Sequence, residues 1–138
     1  MEIKEIKIGD RASMARTISE SDIYLYAGIT GDLNPAHINE EEAKDGIFKG
    51  RVAHGMLSAG LISAVIGTQL PGPGSIYLEQ DLKFLKPVRI GDTIRAEVVV
   101  IEIIKGKIVK LSTNCFNQNG EKVIEGIATI LAPKKKGE

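Results

Sequence analysis

From Ile76 onward the chain alternates. Ile76, Leu78, Leu82 and Phe84 fall on one side of an extended backbone, while Glu79, Asp81 and Lys83 fall on the other. Ile94, Ala96, Val98 and Val100 make a second alternating set, and Val109, Leu111, Thr113 and Cys115 a third. Val123, Ile127 and Leu131 mark a last strand. A period of two is the signature of a strand with one buried face. Gly91-Asp92, Lys105-Gly106-Lys107 and Asn119-Gly120 separate the sets. Turns this short between consecutive strands predict an antiparallel sheet of four long strands.

The first half follows other rules. Arg11 to Ile18 reads as a strand in need of a partner. Ser19 followed by Asp22 has the form of a helix start, and predicts a helix over about Glu20 to Ile29 with Ile23, Tyr24, Ala27 and Gly28 on one face. Asn39 with Glu42 repeats that signal for a short helix ending near Gly46. Between Gly55 and Gly67 nothing is charged, and Gly, Ala and Ser alternate with large aliphatics. A helix apolar nearly all round is buried on most sides. Pro71-Gly72-Pro73-Gly74 stops it. One central helix and one long curved sheet predict an α+β, single-domain hot-dog fold over residues 1–138, with the sheet wrapping the helix.

Composition narrows the function. A chain of 138 residues, 43% hydrophobic, buries roughly two-thirds of its unfolded surface. Lys and Arg number 18, as do Asp and Glu, which argues against nucleic-acid binding. A lone Cys115 excludes an internal disulfide and a cysteine-based zinc site. The first residues alternate charge with isoleucine and do not form a signal peptide. Met56 to Leu70, the longest apolar run, is too short and too polar to span a membrane. A cytoplasmic, soluble protein is expected. The basic residues Lys134, Lys135 and Lys136 read as a solvated tail, flexible from about residue 133.

The chemistry gathers in Gly31-Asp32-Leu33-Asn34-Pro35-Ala36-His37. Proline has no N–H and pushes the residue before it out of the helical region, so Asp32 and His37 are expected on a kinked loop. A carboxylate and an imidazole held close together can act on a water or on a substrate proton. Taken alone the heptapeptide also suits an ordinary turn.

Two further pieces extend the pattern, His54-Gly55-Met56-Leu57 and Leu70-Pro71-Gly72-Pro73-Gly74-Ser75-Ile76-Tyr77-Leu78. Together the three resemble the MaoC-like (R)-specific enoyl-CoA hydratases, from about Ser19 to the last strand. The resemblance implies a homodimeric, or higher, hot-dog enzyme that adds water reversibly to trans-2-enoyl-CoA without metal or cofactor. It carries the catalytic pair onto Asp32 and His37, the backbone oxyanion donor onto Gly55, and an assisting hydroxyl onto Ser63. His54, beside Gly55 but outside the loop, reads as structural. The alternatives are a hot-dog thioesterase, disfavoured because no acidic residue lies between Asp45 and Glu79, and a non-catalytic acyl-CoA binder, which would need neither Asp32 nor His37.

Overall fold

The computed structural model describes residues 1–134; Lys135 and Lys136 of the expected tail lie outside them. Helix α4, Gly55–Thr68, forms the axis. Six strands curve about one side of it: β1 (Arg11–Thr17), β2 (Ile76–Gln80), β3 (Lys83–Phe84), β4 (Thr93–Ile104), β5 (Ile108–Phe116) and β6 (Lys122–Leu131). Their order is β1-β4-β5-β6-β2, every pairing is antiparallel, and β3 also pairs with β6.

The alternation of β4 and β5 lands where it should. Ile94, Ala96, Val98, Val100, Val109, Leu111 and Cys115 are buried against Ile62, Val65 and Ile66 of α4. Thr113 is buried among them, and its hydroxyl accepts from Gln80 Nε2 at 2.9 Å. Burying one such aliphatic side chain stabilises by about 1.5–3 kcal/mol. Bulges at Val100/Glu102, Cys115/Phe116 and Tyr77/Glu79 interrupt the ladders. Each extra residue bends its strand and increases the twist, which lets a sheet wrap a helix.

A bulge also corrects the reading of the last strand. Beside Cys115/Phe116 the register slips, so Val123 and Ile124 are both buried and Ala128 and Ile130 continue the core. Ile127 is thereby turned outward. The strand after α4 differs too. It breaks into β2 and β3 at Asp81, whose N–H donates to Ile127 O at 3.0 Å while its carboxylate accepts from Ile127 N at 2.9 Å. Ile76, Leu78 and Phe84 are all more than half exposed, so that alternation does not face the core.

Helix α1 spans Glu20–Thr30, and Ser19 and Asp22 form a reciprocal capping box. It buries Ile23 and Ala27, while Tyr24 stays exposed and its hydroxyl accepts from Arg51 at 2.9 Å. Two one-turn helices follow, α2 (Pro35–Ile38) and α3 (Glu40–Ala43), the latter capped by Asn39. On α4 the sheet covers one side; Met56, Gly60, Ser63 and Gly67 form an open stripe on the other. No helix among the described residues is long and apolar enough to cross a membrane.

Candidate active site

Helix α1 ends at Gly31, whose φ of 80° makes a left-handed cap. A side chain there would be strained, and glycine ends the helix where the next residue must turn outward. The chain then locks by local bonds. Asp32 N donates to Thr30 Oγ1 at 3.1 Å, and Asn34 N to Asp32 Oδ1 at 3.3 Å. Asn34 is extended, as a residue before proline should be. Pro35, however, opens a helical turn at its first position, where no N–H is needed, and Asn34 caps that turn through Ala36 N at 3.0 Å. His37 therefore sits in a helical turn, not on an irregular loop. Proline breaks a helix from its interior but starts one from its first position, and Pro35 takes the second role.

The imidazoles are aimed by backbone carbonyls. His37 Nδ1 lies 2.7 Å from Val52 O, so Nδ1 carries the proton and donates, leaving Nε2 free. His54 Nε2 lies 3.0 Å from Asp32 O and donates there, and it is 4.0 Å from the Asp32 carboxylate. The two rings stack at 3.9 Å, and Tyr26 tilts against His54 at 4.6 Å. His54 is 2% exposed, whereas the Asp32 side chain is 49% exposed. His54 is thus the buried floor on which Asp32 and His37 stand. In the sequence it is legible as the first residue of His54-Gly55-Met56-Leu57 and as a structural neighbour of Gly55.

Arg51 fixes the segment that carries Val52. Its Nε and N–H donate to Glu40 Oε2 at 3.3 and 3.2 Å, and its guanidinium reaches Tyr24 and Glu20. Val52 N in turn donates to Ala36 O at 3.0 Å, closing the loop on the turn that holds His37. Asp32, His37 and His54 offer ligand-type atoms within 4.8 Å of one another. One nitrogen of each imidazole donates to a backbone carbonyl, which fixes the ring and leaves the other nitrogen as the acceptor.

Gly55 begins α4, and among the described residues no side chain caps it. Leu57 N donates to His54 O at 3.0 Å, while the N–H groups of Gly55 and Met56 and the positive end of the helix dipole can serve a ligand oxygen. The Phe84 ring lies over Gly55 so closely that a Cβ there would meet it at 2.6 Å. Gly55, His37, Phe84, Met56, Ser58 and Ile124 share a cavity of about 400 Å³ whose other walls are largely apolar. Phe84 and Ser58 had no sequence signal of their own. Ser63 stands apart. It is exposed on the open stripe of α4, eight residues beyond Gly55 or about 12 Å along the axis. Within one chain the structure does not bring it to the dyad.

An acid–imidazole pair beside an uncapped helix start and an apolar cavity is an arrangement suited to acyl chemistry, and the chain as a whole is similar to known proteins in sequence and shape. The profile of the MaoC like domain matches residues 4–119. The chain is 56% identical to an (R)-specific enoyl-CoA hydratase of Rhodospirillum rubrum over 96% of this chain and 92% of that one. It is 42% identical to a 3-hydroxybutyryl-CoA dehydratase of Methylorubrum extorquens, over 96% and 85%. The unliganded R-hydratase PhaJ1 of Pseudomonas aeruginosa superimposes with a TM-score of 0.92 at 44% identity, over 97% of this chain and 86% of that one. The sheet wrapped on α4 is a hot-dog fold, and the chain belongs to the MaoC-like family.

Proposed function

We propose that this protein is an (R)-specific enoyl-CoA hydratase, adding water across trans-2-enoyl-CoA to give the (R)-3-hydroxyacyl-CoA and running the reverse dehydration. The observation that carries it is the gathering of Asp32, His37 and His54, whose ligand-type atoms all lie within 4.8 Å of one another, with His37 lining the same apolar cavity as Gly55.

The reaction needs three things at once. A water must lose a proton as its oxygen bonds to C3. The electron pair displaced from the double bond must settle on the thioester oxygen, and C2 must then gain a proton. The Asp32–His37 pair takes up the first proton and returns it to C2, with His37 Nδ1 committed to Val52 O so that Nε2 is the nitrogen left for proton transfer. The Gly55 N–H and the helix dipole stabilise the enolate-like oxygen. One donor of this kind is typically worth about 2.7–4 kcal/mol in the transition state. No cofactor takes part; every proton and charge has a protein group to receive it.

The reading includes a homodimer in a soluble, reducing compartment. The open stripe of α4 and the edge strand β2, with Ile76 and Leu78 exposed, leave apolar surface that a second copy would cover. An unpaired strand edge invites such pairing. Ser63, on that stripe, then lies at the seam, where it could bond groups of the other protomer. Sedimentation at micromolar concentration should show twice the chain mass.

The function is tested with crotonyl-CoA. Loss of the enoyl-thioester absorbance without release of free thiol is expected, and coupling to an S-specific dehydrogenase should give little NADH. Thiol release instead would point to a thioesterase, and rapid NADH formation would remove the R assignment.

A further inference from the structure

Residues 44–54, between α3 and α4, form neither helix nor strand, so no regular ladder of bonds holds them. Yet this segment supplies Val52 O to His37, His54 to Asp32 O, and the approach to α4. Arg51 belongs to it, with a side chain only 13% exposed. The guanidinium reaches two different helices. Nη1 donates to the Tyr24 hydroxyl at 2.9 Å and Nη2 to Glu20 Oε2 at 3.4 Å, both on α1, while Nε donates to Glu40 Oε2 at 3.3 Å, on α3. Glu20 and Tyr24 stand one helical turn apart and share a face. The stretch from Gly31 to Ile38, which carries Asp32 and His37, lies between these anchors in the chain. Arg89 backs the arrangement, donating to Phe48 O and, at 3.5 Å, to Arg51 O. Gly50 leaves them room: a Cβ there would meet Glu40 Oε1 at 3.3 Å and Arg89 Nη1 at 3.4 Å.

Ion pairs with carboxylates as exposed as Glu20 and Glu40, at 53% and 59%, add little stability. What they fix is geometry. A guanidinium is a planar fork whose donors keep set angles to one another, so acceptors bound to one fork are fixed relative to each other. We propose that Arg51 is a positioning residue for the hydration, a clasp that joins α1 to α3 across the turn between them and so sets Asp32 against His37. The proposal rests on the hydratase reading of that pair. Asp32 comes one residue after the Gly31 cap of α1, and His37 two residues before the Asn39 cap of α3. With the clasp open, each helix keeps its own backbone bonds but the two lose their common anchor, and the pair between them loses its fixed separation. A misplacement of about 1 Å in a reacting group can cost roughly 10²-fold in rate.

The test is Arg51→Met, which removes the fork and keeps an unbranched stem over the same surface. For crotonyl-CoA hydration, kcat per folded molecule should fall about tenfold or more, with KM changed less than about threefold. On a His37→Ala background the same substitution should cost less than about twofold, because no pair is left to position. Arg51→Lys, a point charge without the fork, should recover part of the rate, and carries the test if the methionine variant does not fold. Hydrogen exchange of the amides from Gly31 to Ile38 should quicken in Arg51→Met while that of β4 and β5 stays as in the parent. An unchanged kcat, or an equal loss with and without His37, assigns Arg51 to general stability and overturns the proposal. A parent protein that hydrates no enoyl thioester overturns the hydratase reading alone; exchange over residues 31–38 then decides the clasp, and unchanged exchange overturns it.

Discussion

Strands β4 to β6 and the stretch from Gly31 to Gly55 are built on different principles. In the sheet, position is set by many equivalent contacts: Val98, Val109, Leu111 and Ile130 are each completely buried, and losing one leaves the others in place. In the stretch, position is set by single directed bonds. His37 is aimed by Val52 O, His54 by Asp32 O, and Asp32 is held by Thr30 Oγ1. Redundant burial makes a scaffold. Directed bonds to backbone make a site, because each fixes one atom in one direction and leaves the reacting atoms exposed. The difference implies that substitutions in the two regions should separate stability from rate.

The largest separation is expected at His37. His37→Ala should lower kcat by about 10²–10⁴-fold, the usual contribution of a general acid–base group, with a smaller change in KM. Its melting temperature should stay near the parent's. Combined with Asp32→Asn, the loss should be less than the product of the two, because the pair works on one proton. A fully multiplicative loss would divide the two residues into independent roles.

The mirror image is Leu111→Ala. Removing a completely buried side chain from β5 should cost about 2–5 kcal/mol in chemical denaturation. Turnover per folded molecule should be unchanged, and a fall in kcat would show that the sheet and the site are not separable.

Gly55→Ala lies between the regions. Its Cβ would meet the Phe84 ring at 2.6 Å, yet Phe84 is 53% exposed and can swing away. Stability should therefore change little while kcat/KM falls about tenfold or more as the oxyanion site is crowded. Adding Phe84→Ala should recover part of the loss. If it does not, the added methyl acts on the thioester oxygen directly.

The smallest effect belongs to the scaffold's own electrostatics. The Arg16 guanidinium first, and the Ser19 backbone N–H second, hold the Asp22 carboxyl down at about 2 against an ordinary 3.8. A folded value below the unfolded one contributes stability that is present above the unfolded value and lost as pH falls through the folded one. Acid melting between about pH 4 and pH 2 should therefore contain a component that Asp22→Asn removes. Hydration activity near neutrality should not move.

The same contrast explains what the sequence reveals. Alternation in β4 and β5, the Ser19 cap and the apolar run of α4 are periodic or local signals, and the structure follows them closely. The break at Asp81, made by its bonds to Ile127, and the outward turn of Ile127, made by a bulge, depend on the neighbouring strand and leave no period in the chain. At the site, the signature from Gly31 to His37 and the His54-Gly55 pair are legible because they are contiguous. Phe84 over Gly55 and Val52 O on His37 are not, since each arises only when distant segments meet. Ser63 shows the opposite case. Its place in the pattern is clear, but a single chain leaves it on an open face, so what it touches depends on a second copy.

The central claim is that Asp32 and His37 act together on water at an enoyl thioester, and Asp32→Asn tests it most directly. The substitution keeps the size of the side chain and removes its ability to accept a proton. Circular dichroism and thermal melting first establish that the variant is folded. Folded Asp32→Asn should hydrate crotonyl-CoA at least about 10²-fold more slowly than the parent. Hydration within a few-fold of the parent would contradict the account.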